Sequence, residues 1–146
     1  MYRKRYIVSD RRVMYGWASI FIVNPRSWKL KWFDRGFVTY SNNSKIDSLG
    51  VQRETLENFG AVSQEVANEM STGALKNSEA NLGISITGIA GPEGGSLTKP
   101  VGTVYFSIAN QEKVILEHKS DFDGSRETIR KESVLFVLNK LLNLTL

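Results

Sequence analysis

The run from Ile84 to Tyr105 constrains this chain more than any other. It sets an apolar strand, Ile84-Ser-Ile-Thr-Gly88, directly before a glycine-rich loop, and then a second strand-like run, Val101-Gly-Thr-Val-Tyr-Phe-Ser-Ile-Ala109. The alternation of apolar with small or polar residues in the second run is the period of a strand. Between them, Gly88, Gly91, Gly94 and Gly95 permit positive φ and close approach of a ligand to the main chain. A loop so poor in apolar residues adds little to a core. Ligand binding explains it, and a plain surface loop explains it equally well.

A second run bears on that choice. Trp32-Phe-Asp-Arg-Gly-Phe-Val-Thr-Tyr-Ser-Asn-Asn-Ser-Lys45 is followed by Leu49-Gly-Val51 and Gly60-Ala-Val-Ser63. With Ser-Ile-Thr-Gly-Ile-Ala-Gly-Pro, Lys-Pro-Val-Gly-Thr-Val and Gly-x-Arg-x-x-x-Arg, these motifs in this order resemble the CinA C-terminal domain family, from about Lys31 to the C-terminus. The characterised members are nicotinamide-nucleotide amidases, also called competence/damage-inducible proteins. The resemblance implies a three-layer α/β/α sandwich with a mixed sheet. It also implies a hydrolase that deamidates nicotinamide mononucleotide to nicotinic acid mononucleotide and ammonia, without a cofactor.

Composition fits one domain over residues 1–146. At 41% apolar, the chain can bury one core but not two. No apolar run is long enough to span a membrane and no signal-peptide h-region opens the chain, so a cytoplasmic location is expected. Zero cysteines exclude disulfides and thiolate metal sites, and one histidine, His118, cannot build a zinc site. No metal is expected, and His118 reads as an exposed or pairing residue.

Charge is divided unevenly. Residues 1–31 carry a balance of +7 and the remainder −3. A basic head interleaved with Tyr2, Tyr6, Tyr15, Trp17 and Trp28 is one way to bind nucleic acid. The composition changes where the resemblance ends, however, and that points to another cause.

The family's nucleophile motif, Ala-Glu-Ser-Cys-Thr-Gly-Gly, and a later Pro-Gly-Ser-Ser are both absent. Arg11-Arg-Val-Met-Tyr-Gly-Trp17 can be encoded xGC AGA GTC ATG TAC GGG TGG. Read from the second base, the same string gives Ala-Glu-Ser-Cys-Thr-Gly-Gly. Ser27-Trp-Lys-Leu30, as TCC TGG AAG CTC A, likewise gives Pro-Gly-Ser-Ser. Met14 and each Trp have a single codon, which restricts the choice. The reading is a frame disruption beginning near Asp10 and restored near Lys31, and codons that differ from these in the nucleotide sequence would overturn it.

The resemblance also assigns roles. A serine attacks the carboxamide carbon and needs a neighbouring base. Lys45 is the matching lysine, its amine made a better base by partial desolvation, and Tyr40 relays the proton or bonds the leaving amide. These two are the expected catalytic residues, with both side chains in one cleft. Taken without the family, Tyr40 is a half-buried strand residue and Lys45 a solvated helix-start charge. No serine here stands in the context of the lost motif: Ser9, Ser19 and Ser27 lie in the altered segment, and Ser41 would face away from Tyr40 in a continued strand.

Expected substrate-binding residues are Asn42, Thr87, Gly88, Ala90, Gly91 and Arg126, with loop N–H groups holding a carbonyl oxygen or phosphate. Arg126 and Arg130, one helical turn apart, are candidates to grip a phosphate; a surface salt bridge to Glu127 or Glu132 is the preferred reading of Arg130. Lys99 is either a phosphate contact or simply exposed. The partner is a small-molecule nucleotide, a homo-oligomer is expected from the family, and a nucleic-acid partner or membrane is disfavoured.

Periodicity places strands at Gly36–Ser41, Leu82–Thr87, Val101–Ala109 and Lys113–Lys119, the last two as an antiparallel hairpin. A short helical turn falls at Ser44–Gly50. A helix at Ser63–Asn77 has Ser63 as N-cap and Val66, Met70 and Ala74 on one stripe. The closing helix, Ser125–Leu144, has an apolar face of Ile129, Val134, Phe136, Val137, Leu138, Leu141 and Leu142. In the head, Tyr6-Ile-Val8 and Ala18–Val23 are apolar enough for strands or a short buried helix. Trp17, Phe21 and Trp28 overfill space shaped for smaller residues, so lower stability or local disorder is expected before residue 32. Three functions compete: an amidase by descent with turnover impaired, a noncatalytic nucleotide-binding protein, and a nucleic-acid module with salt-sensitive affinity.

Overall fold

The computed structural model describes residues 5–10 and 33–144. Strand β1 (Arg5–Asp10) is followed by β2 (Phe33–Thr39), then helices α1 (Asn42–Leu49), α2 (Arg53–Phe59) and α3 (Gln64–Lys76). Strands β3 (Leu82–Gly88), β4 (Thr103–Asn110) and β5 (Val114–Asp121) precede the closing helix α4 (Arg126–Leu144). The strands form one sheet in the order β2-β1-β3-β4-β5. Strand β1 is parallel to both neighbours, while β3, β4 and β5 are antiparallel. The sheet is therefore mixed, and β1 covers the expected Tyr6-Ile-Val8.

Side chains alternate across β3 and β4, and the two faces differ in kind. Ile84, Ile86, Val104, Phe106 and Ile108 pack against Ile129, Val134, Val137 and Leu141 of α4. Phe136 lies 4.5 Å from Phe106 between ring centroids, and His118 stacks on Phe136 at 4.4 Å with a 20° tilt. Partial desolvation, and then the Lys140 charge, hold the His118 imidazole below its usual range. The expected α4 face is present except for Leu142, which is 63% exposed because it is turned away from the stripe that holds Leu141.

The opposite face is lined by Gly83, Ser85, Thr87, Ser107 and Ala109 and is covered by α3. Ser71 and Ser107 share a hydrogen bond of 2.9 Å, and the Ser85 hydroxyl donates to the Ala67 carbonyl. Gly83 is required by close approach: a Cβ there would stand 2.3 Å from the Ser71 carbonyl oxygen. Beyond the sheet, Val66, Met70 and Ala74 of α3 join Leu49, Val51 and Leu56 in a second core. Helices on both faces make the expected three-layer α/β/α sandwich.

Helix α3 starts as expected, with the Ser63 hydroxyl accepting from the Val66 amide. Helix α2 is an addition to the sequence reading. Only Leu56 of its seven residues is buried, so it carries no apolar period. Its start is capped from a distance: Glu69 of α3 accepts from the Gln52 amide and from the Thr55 hydroxyl, both at 2.7 Å. Strand β5 forms one edge of the sheet, where exposed Glu117, His118 and Lys119 discourage pairing with another chain. Among the described residues no helix is long and apolar enough to cross a membrane. The expectations for Ala18–Val23, for overpacking by Trp17, Phe21 and Trp28, and for stability before residue 32 lie largely or wholly outside the described residues.

Candidate functional site

The parallel strands β2, β1 and β3 run their carboxyl ends to the same edge, with Asp10 opposite Thr39 and Ser9 opposite Ile86. In open α/β sheets ligands bind outside such ends. Tyr40 follows β2 there and the glycine loop follows β3. Between them lies a cleft of about 380 Å³ lined by Tyr40, Ile89, Ala90, Gly91, Glu93 and Arg126, among others.

Each wall has a local cause. Tyr40 follows the strand 54% exposed, since β2 ends at Thr39 and Ser41 already caps α1, its hydroxyl accepting from the Ser44 amide at 3.0 Å. Ser41 is thus a cap and not the strand residue expected. Gly91 sits at φ 74°, where a Cβ would also press to 2.6 Å from Val101. Arg126 opens α4, whose first turn is capped by the Ser125 hydroxyl accepting from the Thr128 amide. Its guanidinium donates to the Gly91 carbonyl at 2.9 Å, which ties helix and loop together.

Of the expected site residues, Tyr40, Ala90, Gly91 and Arg126 meet in this cleft. The others are not among its lining residues but lie close to them in the chain. Lys45 is fully buried beneath the end of β2, and its Nζ donates to the Thr39 carbonyl at 3.0 Å. It is therefore not a solvated charge: its amine meets the carbonyl of the residue next to Tyr40. Asn42 is exposed in the first turn of α1. Thr87 is wholly buried and its hydroxyl donates to the Ala61 carbonyl at 2.8 Å, anchoring the segment before α3. Ile89 donates its amide to Thr103, so the alternating ladder also commits the Thr87 amide to β4 and turns the Gly88 amide the other way, toward β1.

Lys99 is not simply exposed. Its Nζ donates to the Phe59 carbonyl at 2.7 Å and straps the glycine loop to the end of α2. The sequence reading missed this strap and also missed Glu93, whose only signal was its place two residues after Gly91. No group of three or more potential metal-ligating side chains occurs among the described residues.

Fold and cleft together define a three-layer α/β/α protein with a cleft at the carboxyl ends of its parallel strands. The profile of the family described as CinA C-terminal domain matches residues 27–145, and the chain belongs to that family. It is 50% identical over 111 residues to the nicotinamide-nucleotide amidohydrolase PncC of Enterobacter agglomerans, covering 76% of this chain and 68% of that one. The Escherichia coli K12 protein of the same name is 43% identical over 126 residues, 86% of this chain and 76% of its own. Among solved structures, the competence/damage inducible protein CihA from Agrobacterium tumefaciens superposes with a TM-score of 0.89 at 37% identity. That match covers 99% of this chain and 86% of the other.

Proposed function

We propose that this chain carries the substrate site of a nicotinamide-nucleotide amidohydrolase, deamidating nicotinamide mononucleotide, with turnover impaired because the nucleophile motif is absent. The observation that carries the reading is the convergence of Tyr40, the glycine loop and Arg126 on one cleft at the strand ends. Arg126, at the start of α4, takes the phosphate. Gly88, Ala90 and Gly91 supply the backbone that meets the carboxamide, with Asn42 and Thr87 bordering them. Tyr40 and Lys45 act on the proton: Tyr40 from the cleft, Lys45 from its buried place beside the Thr39 carbonyl. The ligand is a small nucleotide, no cofactor takes part, and a cytoplasmic homo-oligomer belongs to the same reading.

A noncatalytic nucleotide-binding protein is the second reading, and the missing serine motif favours it. One experiment separates the two. Ammonia release from nicotinamide mononucleotide is measured for this chain and for a version whose residues 11–30 follow the shifted reading frame. Turnover in this chain lower by orders of magnitude supports an impaired amidase. No turnover with retained binding makes it a binding protein, and equal turnover in both means that another residue supplies the nucleophile.

A further inference from the structure

The cleft holds more charge chemistry than a phosphate needs. Arg126 is engaged by the Gly91 carbonyl on one side. On the loop, Glu93 also lines the cleft, and among the described residues no hydrogen bond or ion pair engages its carboxylate. A half-exposed aromatic ring, Tyr40, completes the wall. A cleft built for an anion alone gains nothing from a negative charge left uncompensated beside it, since a carboxylate repels phosphate. One cation, one anion and one aromatic ring in a single cleft instead match a ligand that bears both signs and a flat ring.

We infer that Glu93 and Tyr40 form a subsite that selects the oxidised, cationic pyridinium ring of a nucleotide over a neutral ring of the same size. This rests on the nucleotide-binding reading above and deepens it. An N-glycosylated nicotinamide carries a positive charge on its ring, and a phosphorylated ribose carries the negative charge. Arg126 meets the phosphate, the Tyr40 face meets the pyridinium, and the Glu93 carboxylate balances it. The reduced dihydropyridine nucleotide keeps the phosphate, ribose and carboxamide but loses the ring charge. It is therefore the probe that isolates this subsite. Because Glu93 is exposed on a loop, its substitution leaves the core untouched.

The test is a calorimetric titration of the intact chain with nicotinamide mononucleotide and with its reduced form, repeated for Glu93→Gln and Glu93→Asp. The oxidised nucleotide binds about three- to tenfold more tightly than the reduced one, the size expected of a partly solvated charge and ring contact. Glu93→Gln removes that preference by weakening only the oxidised ligand, and Glu93→Asp keeps part of it. Binding of both nucleotides with no preference, or a preference that survives Glu93→Gln, overturns the inference and leaves the nucleotide site intact. Binding of neither overturns the nucleotide site and this subsite with it.

Discussion

The two faces of the sheet solve the same problem, holding a helix on a sheet, by opposite means. Toward α4 the strands present isoleucine, valine and phenylalanine, and the helix stands off on bulky side chains. Toward α3 they present glycine, serine and alanine, and the helix comes close enough for hydroxyls to bond across the interface. The first face is held by apolar area, and Ser133, the buried polar residue in the α4 stripe, returns its hydroxyl to the helix's own Ile129 carbonyl. The second is held by fit and hydrogen bonds, and it is the face that carries the site's supports: Thr87 to Ala61, Glu69 to the start of α2, and Lys45 under β2. Where geometry must be exact enough to position chemistry, small residues and hydrogen bonds replace bulk.

This contrast can be broken from either side. The α4 face should fail when volume is removed. Phe106→Ala, at a ring with no exposure that touches Phe136 and Phe122, is expected to lower stability by about 3–5 kcal/mol in chemical denaturation. A loss below about 1 kcal/mol would mean the apolar face does not depend on that ring. The α3 face should fail when volume is added. Gly83→Ala places a Cβ against the Ser71 carbonyl and is expected to cost about 1–3 kcal/mol, with amide exchange faster in α3 than in α4. Equal acceleration in both helices would erase the distinction.

The smallest effect sharpens the account of the hydrogen bonds. Ser71→Ala removes one partner of the buried Ser71–Ser107 pair and leaves the other unsatisfied, for about 1–2 kcal/mol. Adding Ser107→Ala should recover part of that loss, because no buried hydroxyl is then left alone. Simple additivity in the double-mutant cycle would show that the two hydroxyls act independently.

Much of the fold was legible. Ser63 before a stripe of Val66, Met70 and Ala74 announced α3 through its cap and its period, and alternation announced β3, β4 and β5. The cleft was legible in outline, since Tyr40, Ala90, Gly91 and Arg126 meet there. Helix α2 was not legible, because its cap comes from a carboxylate 17 residues away. Nor was the direction of Lys45, because five residues after Tyr40 suits a shared cleft or a burial beneath the strand until α1 sets its rotation.

By itself, then, the sequence determined what depends on neighbours along the chain: strand alternation, the Ser63 cap, the positive-φ Gly91, and the family to which the motifs belong. Tertiary structure alone decided which polar groups are consumed by the scaffold. Thr87 reaches a carbonyl 26 residues away and Lys99 one 40 residues away, and each thereby supports the scaffold. The reason is physical. A buried donor must find an acceptor, and once local ladders are filled the acceptor is whichever carbonyl the packing brings near.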